Sequence, residues 1–352
     1  MTEPNGKNFI TNSRRGAFMT CPRKHQFAYE IAIRPTSDAP ALRIGSCVHD
    51  ALDIRKRGAT MTQAIAEALA NYVQDDFDDP ERIAAMLTGY EWRWLDGAFK
   101  VLATERVMTM PLVNPATGRA SLNFLVAMKV DAIIELLDSR VAVMEHKTCS
   151  EDLSPESDYW KRLRIDAQIS TYMLGARHNG FDVQTVVYDV LRKPLLRPSQ
   201  IPLLDGEGRK IVLDARLQRV VKANNEPRQS ADKEKGYVLQ TRVEEPHEYH
   251  DRLMTDIYAN PDWYYSRREI PRIKSDLEEA QLDLWNVAKM IRESELNNWH
   301  PRNDAACKSF GCTCPYFKLC TNGFSIEDFK QTGVVPEYYE VVQDVHPELH
   351  GE

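Results

Sequence analysis

The sequence predicts an α/β fold in which a mixed β-sheet is flanked by helices. Two apolar, β-branched runs at 124–137 and 141–146 are separated by a turn at 138–140, as in two neighbouring strands. A helical pattern at 160–177 then leads into a third run of this kind at 183–191. Strand, strand, helix and strand in this order, inside a helical shell, are typical of an α/β arrangement with a mixed central sheet.

The helical shell comes from the segments before and after these strands. Helical patterns lie at 13–31, 45–55, 61–73, 80–104, 247–259 and 273–297. The last two flank a short strand pattern at 263–270. Residues 200–236 alternate charge with Gly, Asn and Pro, so we expect an insertion that is partly helical and partly mobile.

Composition limits the classes of protein to consider. The chain has 352 residues and 43% apolar content, enough for one large core or two small ones. No apolar run approaches the roughly 20 residues of a membrane span, and residues 1–8 are polar, so we expect a cytoplasmic protein without a membrane partner. The net charge of −7 argues against non-specific coating of nucleic acid. It is compatible with an enzyme that acts on DNA, because the carboxylates of a metal site count in the sum.

Two acidic residues stand on the first two predicted strands. Asp131 is followed fourteen residues later by Glu145, in the run Glu145-His146-Lys147. Alternate residues of a strand share a face, so Glu145 and Lys147 point the same way and Asp131 can lie beside Glu145. Two carboxylates form a hard oxygen site suited to Mg²⁺ or Mn²⁺, and a lysine there can orient an attacking water. The alternative is a hairpin with ordinary charges at its strand ends.

Further residues add to this pattern. Gly45 is followed by His49 on the second predicted helix, and Gln168 and Tyr172 stand four apart on the helix after the Glu-x-Lys strand. Residues four apart share a helix face. Taken singly, His49 is compatible with a buried core histidine, and the Gln–Tyr pair with a helix packed on a sheet. Their order and spacing together favour a functional site.

This succession of motifs resembles the PD-(D/E)XK nuclease superfamily, and within it the RecB-like branch that includes CRISPR-associated exonucleases and phage exonucleases. The resemblance covers about 13–194 and resumes at 263–320. It implies a restriction-endonuclease-like core, a mixed sheet flanked by helices, with helical insertions. It also implies a bacterial or phage-encoded protein. The sequence departs from many relatives in having Glu-x-Lys where they have Asp-x-Lys, a change that keeps the carboxylate.

The resemblance also implies roles for individual residues. The divalent metal would be bound by His49, Asp131, Glu145 and the backbone carbonyl of His146. Lys147 would be the catalytic lysine, and Gln168 and Tyr172 would complete the active site. The implied cofactor is Mg²⁺ or Mn²⁺.

Four of the seven cysteines crowd into the segment from Cys307 to Cys320. In a reducing compartment such crowding favours metal ligation over disulfides. Many RecB-like nucleases carry a similar segment to Cys314-Pro315-Tyr316-x₃-Cys320, completed by a cysteine near the N-terminus, which Cys21 matches. By resemblance, Cys21, Cys307, Cys314 and Cys320 would hold a [4Fe–4S] cluster that staples the N- and C-terminal subregions.

Two points about this cluster stay open. Cys312 competes with Cys307 for the fourth position; we prefer Cys307, because phage-type relatives show a similar wide spacing before Cys-Pro-Tyr. Structural zinc, which thiolates bind tetrahedrally, is the alternative metal.

The resemblance implies six segments with different roles. These are an N-terminal helical segment with a cluster cysteine (1–44), the nuclease core (45–200), a charged insertion (201–240), a helical and strand completion of the core (241–300), the cluster segment (301–325) and an acidic tail (326–352).

The leading functional hypothesis is a metal-dependent DNA exonuclease, with possible endonuclease activity, that acts on ends or single strands in recombination, repair or DNA processing. Trp263, Tyr264 and Tyr265 are candidates for stacking on unpaired bases. One alternative is a DNA-end-binding or assembly subunit with little cleavage of its own; another is a restriction-type endonuclease. No Gly-x₄-Gly-Lys-[Ser/Thr] loop is present, so unwinding would need a helicase partner, or the protein would serve a recombination or CRISPR partner.

Overall fold

The computed structural model describes residues 9–36, 40–70, 72, 77–94, 97, 99–309 and 312–350. Residues 1–8, and residues 71 and 73 of the helix predicted at 61–73, lie outside this described part. Within it, no helix is both long enough and apolar enough to cross a membrane.

The helices surround the sheet on both faces. They are α1 (Asn12–Thr20), α2 (Pro22–His25), α3 (Pro40–Lys56), α4 (Met61–Ala70), α5 (Asp78–Arg93), α6 (Asp158–Leu163), α7 (Ala167–His178), α8 (Pro246–Ala259), α9 (Pro261–Tyr264), α10 (Lys274–Leu296), α11 (Phe317–Thr321) and α12 (Ile326–Thr332). A π-helical turn, Gln26–Glu30, continues α2, and 3₁₀ turns lie at Asp304–Ala306 and Pro347–Leu349.

The strands form one large sheet and several short pairs. They are β1 (Phe9–Ile10), β2 (Ile33–Pro35), β3 (Phe99–Val113), β4 (Ala120–Leu136), β5 (Val141–Cys149), β6 (Val183–Arg192), β7 (Gln200–Pro202), β8 (Val212–Leu213), β9 (Val238–Leu239), β10 (Thr241–Val243), β11 (Tyr265–Pro271), β12 (Lys308–Ser309), β13 (Cys312–Thr313) and β14 (Tyr339–Val341).

The central sheet of the described chain has the order β1-β4-β5-β6-β11, with β3 paired to the other side of β4. The β5–β6 and β1–β4 pairs are parallel, and the β3–β4, β4–β5 and β6–β11 pairs are antiparallel. The predicted α/β fold with a mixed central sheet is therefore confirmed. The β5–β6 pair is parallel because α6 and α7 carry the chain back across the sheet between these strands.

Two hydrophobic layers hold the helices on this sheet. On one face, β4, β5 and β6 pack against α6, α7 and α10. The helices α3, α4, α5, α8 and α9 share a second cluster, which reaches the sheet at Leu191 and Tyr265. Helix α7 approaches the sheet closely, since a Cβ on Gly175 would lie 2.0 Å from the Met128 Sδ. The face of α7 that carries Gly175 is therefore pressed onto β4.

The two chain termini share a third core. Residues of the π-helical turn and β2, including Phe27 and Ile33, pack with Tyr316 and Leu319 of the C-terminal segment. Strand β14 pairs with β2, and the Tyr316 hydroxyl donates to the Ile33 carbonyl at 2.9 Å. The expected N- and C-terminal subregion is thus joined by side-chain packing in the structure.

Two of the helix predictions were wrong in detail. The helix predicted at 80–104 ends at Arg93, and residues 99–113 form the edge strand β3. The residues Leu102, Ala103, Glu105 and Arg106 favour helices in isolation, but pairing with β4 along the length of β3 outweighs that preference. The helix predicted at 160–177 is split in two, because the Asp166 side chain accepts from the backbone of Gln168 and caps α7.

The predicted insertion at 200–236 contains no helix in the structure. It consists of short strands and successive tight turns closed by bridges such as Leu204–Lys210, Leu213–Arg219 and Val221–Pro227. Its turns centre on Gly, Asn and Asp residues that adopt turn conformations readily.

Candidate active site

Asp131 and Glu145 face each other on neighbouring strands. The antiparallel register pairs Ala132 with Met144, which places Asp131 opposite Glu145. The backbone N–H of His146 donates to Asp131 Oδ2 at 2.6 Å. Glu145 is only 2% exposed. The structure therefore brings the two predicted carboxylates to one point of the sheet, out of bulk water.

Lys147 shares this face and forms an ion pair with Glu145 Oε1. Burial, and then the charge of Asp131, raise the pKa of Glu145 to about 7. Burial alone would lower the pKa of Lys147, but the charges of Glu145 and Asp131 outweigh it and raise that pKa. Lys147 therefore stays cationic beside the two carboxyl groups.

Helix α3 brings His49 to the other carboxylate. Its Nδ1 lies 3.5 Å from Asp131 Oδ2. Burial would raise the pKa of Asp131, yet His49, and after it the charge of Lys147, hold that pKa below its ordinary value. Lys56, two turns further along α3, donates from Nζ to the Asp131 carbonyl at 3.4 Å. Lys56 was missed by sequence reasoning, although it shares a helix face with His49.

Helix α7 supplies the glutamine and the tyrosine. Gln168 Nε2 donates to the Tyr172 hydroxyl at 2.6 Å. Burial, and then the charges of Glu145 and Asp131, raise the pKa of Tyr172 well above its ordinary value. The phenol therefore lies within electrostatic range of both carboxylates and remains protonated.

The corner before α7 is fixed by Arg272. Its guanidinium donates to the carbonyls of Leu163 and Asp166 at 2.7 and 3.0 Å and to Ser170 Oγ at 2.9 Å. These bonds join the end of α6 to the first turn of α7. They set the position from which Gln168 reaches Tyr172.

A buried polar group supports the site from the opposite face of β5. His146 Nδ1 lies 3.3 Å from Asp189 Oδ2, which also accepts from the Tyr90 hydroxyl at 2.5 Å and from Arg267 at 2.9 Å. Burial lowers the pKa of His146 to about 4, so this imidazole is neutral. Sequence reasoning missed these partners, although Asp189 inside the apolar run of β6 was a signal of a buried polar contact.

The donor set of this site suits a divalent cation. Glu145 Oε2 is buried and has no hydrogen-bond partner among the described residues, and the mutual repulsion of Asp131 and Glu145 would be relieved by a positive charge between them. Across the described ranges, no group of three or more His, Cys, Asp or Glu side chains is arranged to hold a metal ion. The two carboxylates fit the chemistry of Mg²⁺ or Mn²⁺, and in this arrangement the His49 imidazole is paired with Asp131.

Hydrogen bonds and electrostatic interactions link the four cysteines predicted to hold a cluster. The Asn303 backbone N–H donates to Cys21 Sγ at 3.4 Å, and the Cys307 thiol donates to the Asn303 carbonyl at 3.8 Å. The Cys314 N–H donates to the Cys307 carbonyl at 2.9 Å. Cys320 lies within electrostatic range of Cys21 and Cys314.

The surroundings of these thiols suit thiolate ligands. Burial raises the pKa of Cys320, whereas the nearby charges of Arg302 and Arg23 lower it. Cationic side chains would stabilise thiolates or an anionic cluster. Cys312 stands on the exposed β13 and is itself exposed, and the seven cysteines are free thiols. Within the described residues, no three of these thiols are arranged around one point as metal ligands. Four thiolate side chains are nevertheless the ligand set of either a [4Fe–4S] cluster or tetrahedral zinc.

A family profile matches most of the chain. The profile of the PD-(D/E)XK nuclease superfamily covers residues 10–321, which include both strands with the paired carboxylates, α7 and the cysteine segment. The chain belongs to the PD-(D/E)XK nuclease superfamily. Its members are metal-dependent nucleases that generally use Mg²⁺ or Mn²⁺, and this membership supports nuclease activity here. The predicted membership of this superfamily is confirmed.

Solved structures show more distant similarity. A "putative exonuclease" from Eubacterium rectale is 11% identical, with a TM-score of 0.44 over 94% of this chain and 95% of that chain. The protein SSO0001 is 12% identical, with a TM-score of 0.32 over 90% of this chain and 88% of that chain. These scores are too low for either protein's activity to be carried over. Among curated protein sequences, none matches significantly.

The substitution Glu145→Gln should remove a pH dependence from the metal-free protein. Folding raises the pKa of Glu145 from 4.5 to about 7, so the native state holds this proton more tightly than the unfolded chain. The resulting stabilisation is present below the unfolded pKa and is lost as the pH rises through the folded pKa. Between about pH 5 and pH 8, the free energy of unfolding of wild type should therefore fall by on the order of 2 kcal/mol more than that of the variant.

Urea denaturation in the presence of a chelator, repeated across this pH range, measures the difference. Glu151→Gln is the matched control, because it removes an exposed carboxylate paired with Arg162. Parallel pH profiles for wild type and Glu145→Gln would contradict the prediction.

Proposed function

We propose that this protein is a divalent-metal-dependent DNA exonuclease of the RecB-like iron–sulfur type, phage-type within that branch. It would hydrolyse phosphodiester bonds at DNA ends or on single strands, in recombination, repair or processing of ends. The observation that supports this most is the pairing of Asp131 with Glu145, with Lys147 on the second carboxylate and Tyr172 in range of both. A helicase, or a recombination or CRISPR protein, would be the natural partner, because the chain has no Gly-x₄-Gly-Lys-[Ser/Thr] loop of its own for unwinding DNA.

Each residue of the site would have a distinct role. Asp131 and Glu145, with His49 and the His146 carbonyl, would hold Mg²⁺ or Mn²⁺. When bound, the cation would polarise the phosphoryl oxygen and lower the pKa of an attacking water. Asp131 is kept ionised by its neighbours, whereas Glu145 would have to release a proton on metal binding.

Lys147 and the α7 pair would act on the phosphate and the water. Lys147 remains charged and would stabilise the negative charge that develops on the phosphoryl oxygens. Tyr172 stays protonated, so its hydroxyl can donate to a phosphate oxygen while Gln168 holds it in place. The His146–Asp189 contact would keep β5 in register with β6 behind these groups.

The cysteine group would hold a [4Fe–4S] cluster through Cys21, Cys307, Cys314 and Cys320. A cluster here would tie the N-terminal helices to the C-terminal segment, which already share a hydrophobic core. It would stabilise the fold by closing a long loop of the unfolded chain. Its role would be structural, and the segments 1–44 and 301–325 would then form one unit beside the nuclease core at 45–200.

The substitution Lys147→Ala should abolish cleavage, because the buried Glu145 loses its cationic partner and the phosphate loses a stabilising charge. We expect a rate loss of at least about 100-fold. The measurement is digestion of end-labelled linear and closed circular DNA, single- and double-stranded, with Mg²⁺ or Mn²⁺. Lys289→Ala, which removes an exposed lysine from α10, is the matched control.

Each outcome of this digestion has a distinct meaning. Metal-dependent loss of linear DNA that disappears in Lys147→Ala supports the exonuclease and gives its polarity. Loss of circular DNA as well would add an endonuclease activity. No cleavage by folded wild type would contradict the proposal and favour an end-binding subunit.

The substitution Cys320→Ala should remove the metal centre and destabilise the protein. The control substitution Cys312→Ala should change neither metal content nor stability. Cys320 is half-buried and lies within electrostatic range of Cys21 and Cys314, whereas Cys312 is exposed. Iron, sulfide and zinc analysis, with visible absorbance and thermal melting, gives the readout. Iron together with sulfide supports the [4Fe–4S] cluster. Zinc without iron or sulfide would contradict the cluster and support structural zinc. A Cys320→Ala protein with full metal content would contradict the ligand assignment.

A further inference from the structure

Arg192 is a buried cation without hydrogen-bond partners on part of its guanidinium. It is the last residue of β6, it is 6% exposed, and its Nε and Nη1 have no hydrogen-bond partner among the described residues. Leaving a buried cationic donor unpaired is unfavourable. A group of this kind is expected where an anion from outside the chain completes the contacts.

The position of Arg192 links it to the candidate active site. In the parallel β5–β6 register, Lys147 pairs with Val190 and Cys149 pairs with Arg192. Two residues along a strand and one strand across separate the Lys147 and Arg192 backbones by about 8 Å. A DNA strand lying on Lys147 can therefore also pass over Arg192.

Trp263 stacks against the guanidinium of Arg192. The Arg192 Cζ lies 3.6 Å from the centroid of the Trp263 ring, and Trp263 is 50% exposed. Its two aromatic neighbours are different: Tyr264 and Tyr265 are buried, and their hydroxyls bind Asp256 and the Met86 carbonyl. Of these three stacking candidates, Trp263 alone presents an accessible ring.

Asp152, the acidic residue near Arg192, does not neutralise the charge of the Arg192 guanidinium. The charge of Arg192 contributes to the lowered pKa of Asp152, after the hydrogen bonds from Ser154. The Asp152 oxygens accept from the Ser154 backbone and hydroxyl. In the described part of the chain, no salt bridge joins Arg192 to a carboxylate.

We propose that Arg192 and Trp263 form a subsite for the nucleotide beside the scissile phosphodiester, with its phosphate on Arg192 and its base stacked on Trp263. This inference rests on the proposed function and names the form of its substrate. Guanidinium groups match phosphate geometry, and stacking on an aromatic ring accepts any base. Stacking needs an unpaired base, so the strand at this position is single-stranded.

The experiment measures binding of fluorescein-labelled single-stranded oligonucleotides by anisotropy, in chelator or with Ca²⁺, over a range of salt concentrations. Each oligonucleotide carries one abasic position, moved along the strand. Wild type should bind more weakly when the abasic position falls on Trp263, and Trp263→Ala should be insensitive to it. Trp263→Ala should weaken binding to the intact strand about 5- to 100-fold, and Trp263→Phe should recover most of this loss.

Arg192 is tested by the salt dependence. Arg192→Gln should lower the slope of log K against log salt by about 0.7, the contribution of one phosphate contact on a single strand, whereas Arg192→Lys should keep the slope. Trp263→Ala should leave it unchanged. Thermal melting verifies that each variant is folded; if Arg192→Gln does not fold, the abasic series alone decides.

The outcomes separate this subsite from the proposed function. Equal abasic profiles in wild type and Trp263→Ala, or no binding by wild type, would contradict the subsite. Cleavage of the same oligonucleotides by wild type with Mn²⁺ is measured in parallel. Cleavage with a flat abasic profile would support the nuclease and contradict the subsite. A Trp263-dependent profile without cleavage would support the subsite and contradict the nuclease.

Discussion

The repulsion between two buried carboxylates on adjacent strands is the constraint on which the candidate site depends. Asp131 and Glu145 are opposed by the β4–β5 register, and burial strengthens their interaction because little water screens it. The neighbouring groups affect the protonation of the two carboxylates unequally. His49 and the His146 N–H keep Asp131 ionised, whereas the pKa of Glu145 rises to about 7. A divalent cation bound between them would relieve the same repulsion.

The surrounding layers supply what the two strands lack. Helix α3 provides a histidine and a lysine to Asp131, α7 provides the Gln–Tyr pair, and the buried Asp189 group supports β5 from its opposite face. Further away, the terminal segments join through a common core that packs against Cys314 and Cys320. The sheet therefore sets the geometry of the candidate site, while the terminal segments pack together in a separate core.

Strand and helix periodicity was sufficient to predict β4, β5, β6 and the position of Asp131 beside Glu145, because each buried strand has a near-continuous apolar pattern. It was not sufficient for β3, whose polar residues face solvent at the sheet edge and whose strand state depends on pairing with β4. Likewise, Lys56, Asp189 and Arg192 gain their roles only from tertiary contacts. The distance between strands and helices in space is not encoded in any short window of sequence.

The central claim is that Asp131 and Glu145 form one cation site. Calorimetric titration of Mn²⁺ into chelator-treated wild type and Asp131→Asn at about pH 8, above the pKa of Glu145, tests it most directly. We expect wild type to bind Mn²⁺ and the variant, which keeps the shape of the side chain but loses its charge, to bind at least about 10-fold more weakly. Equal affinity in the two proteins would contradict a shared carboxylate site.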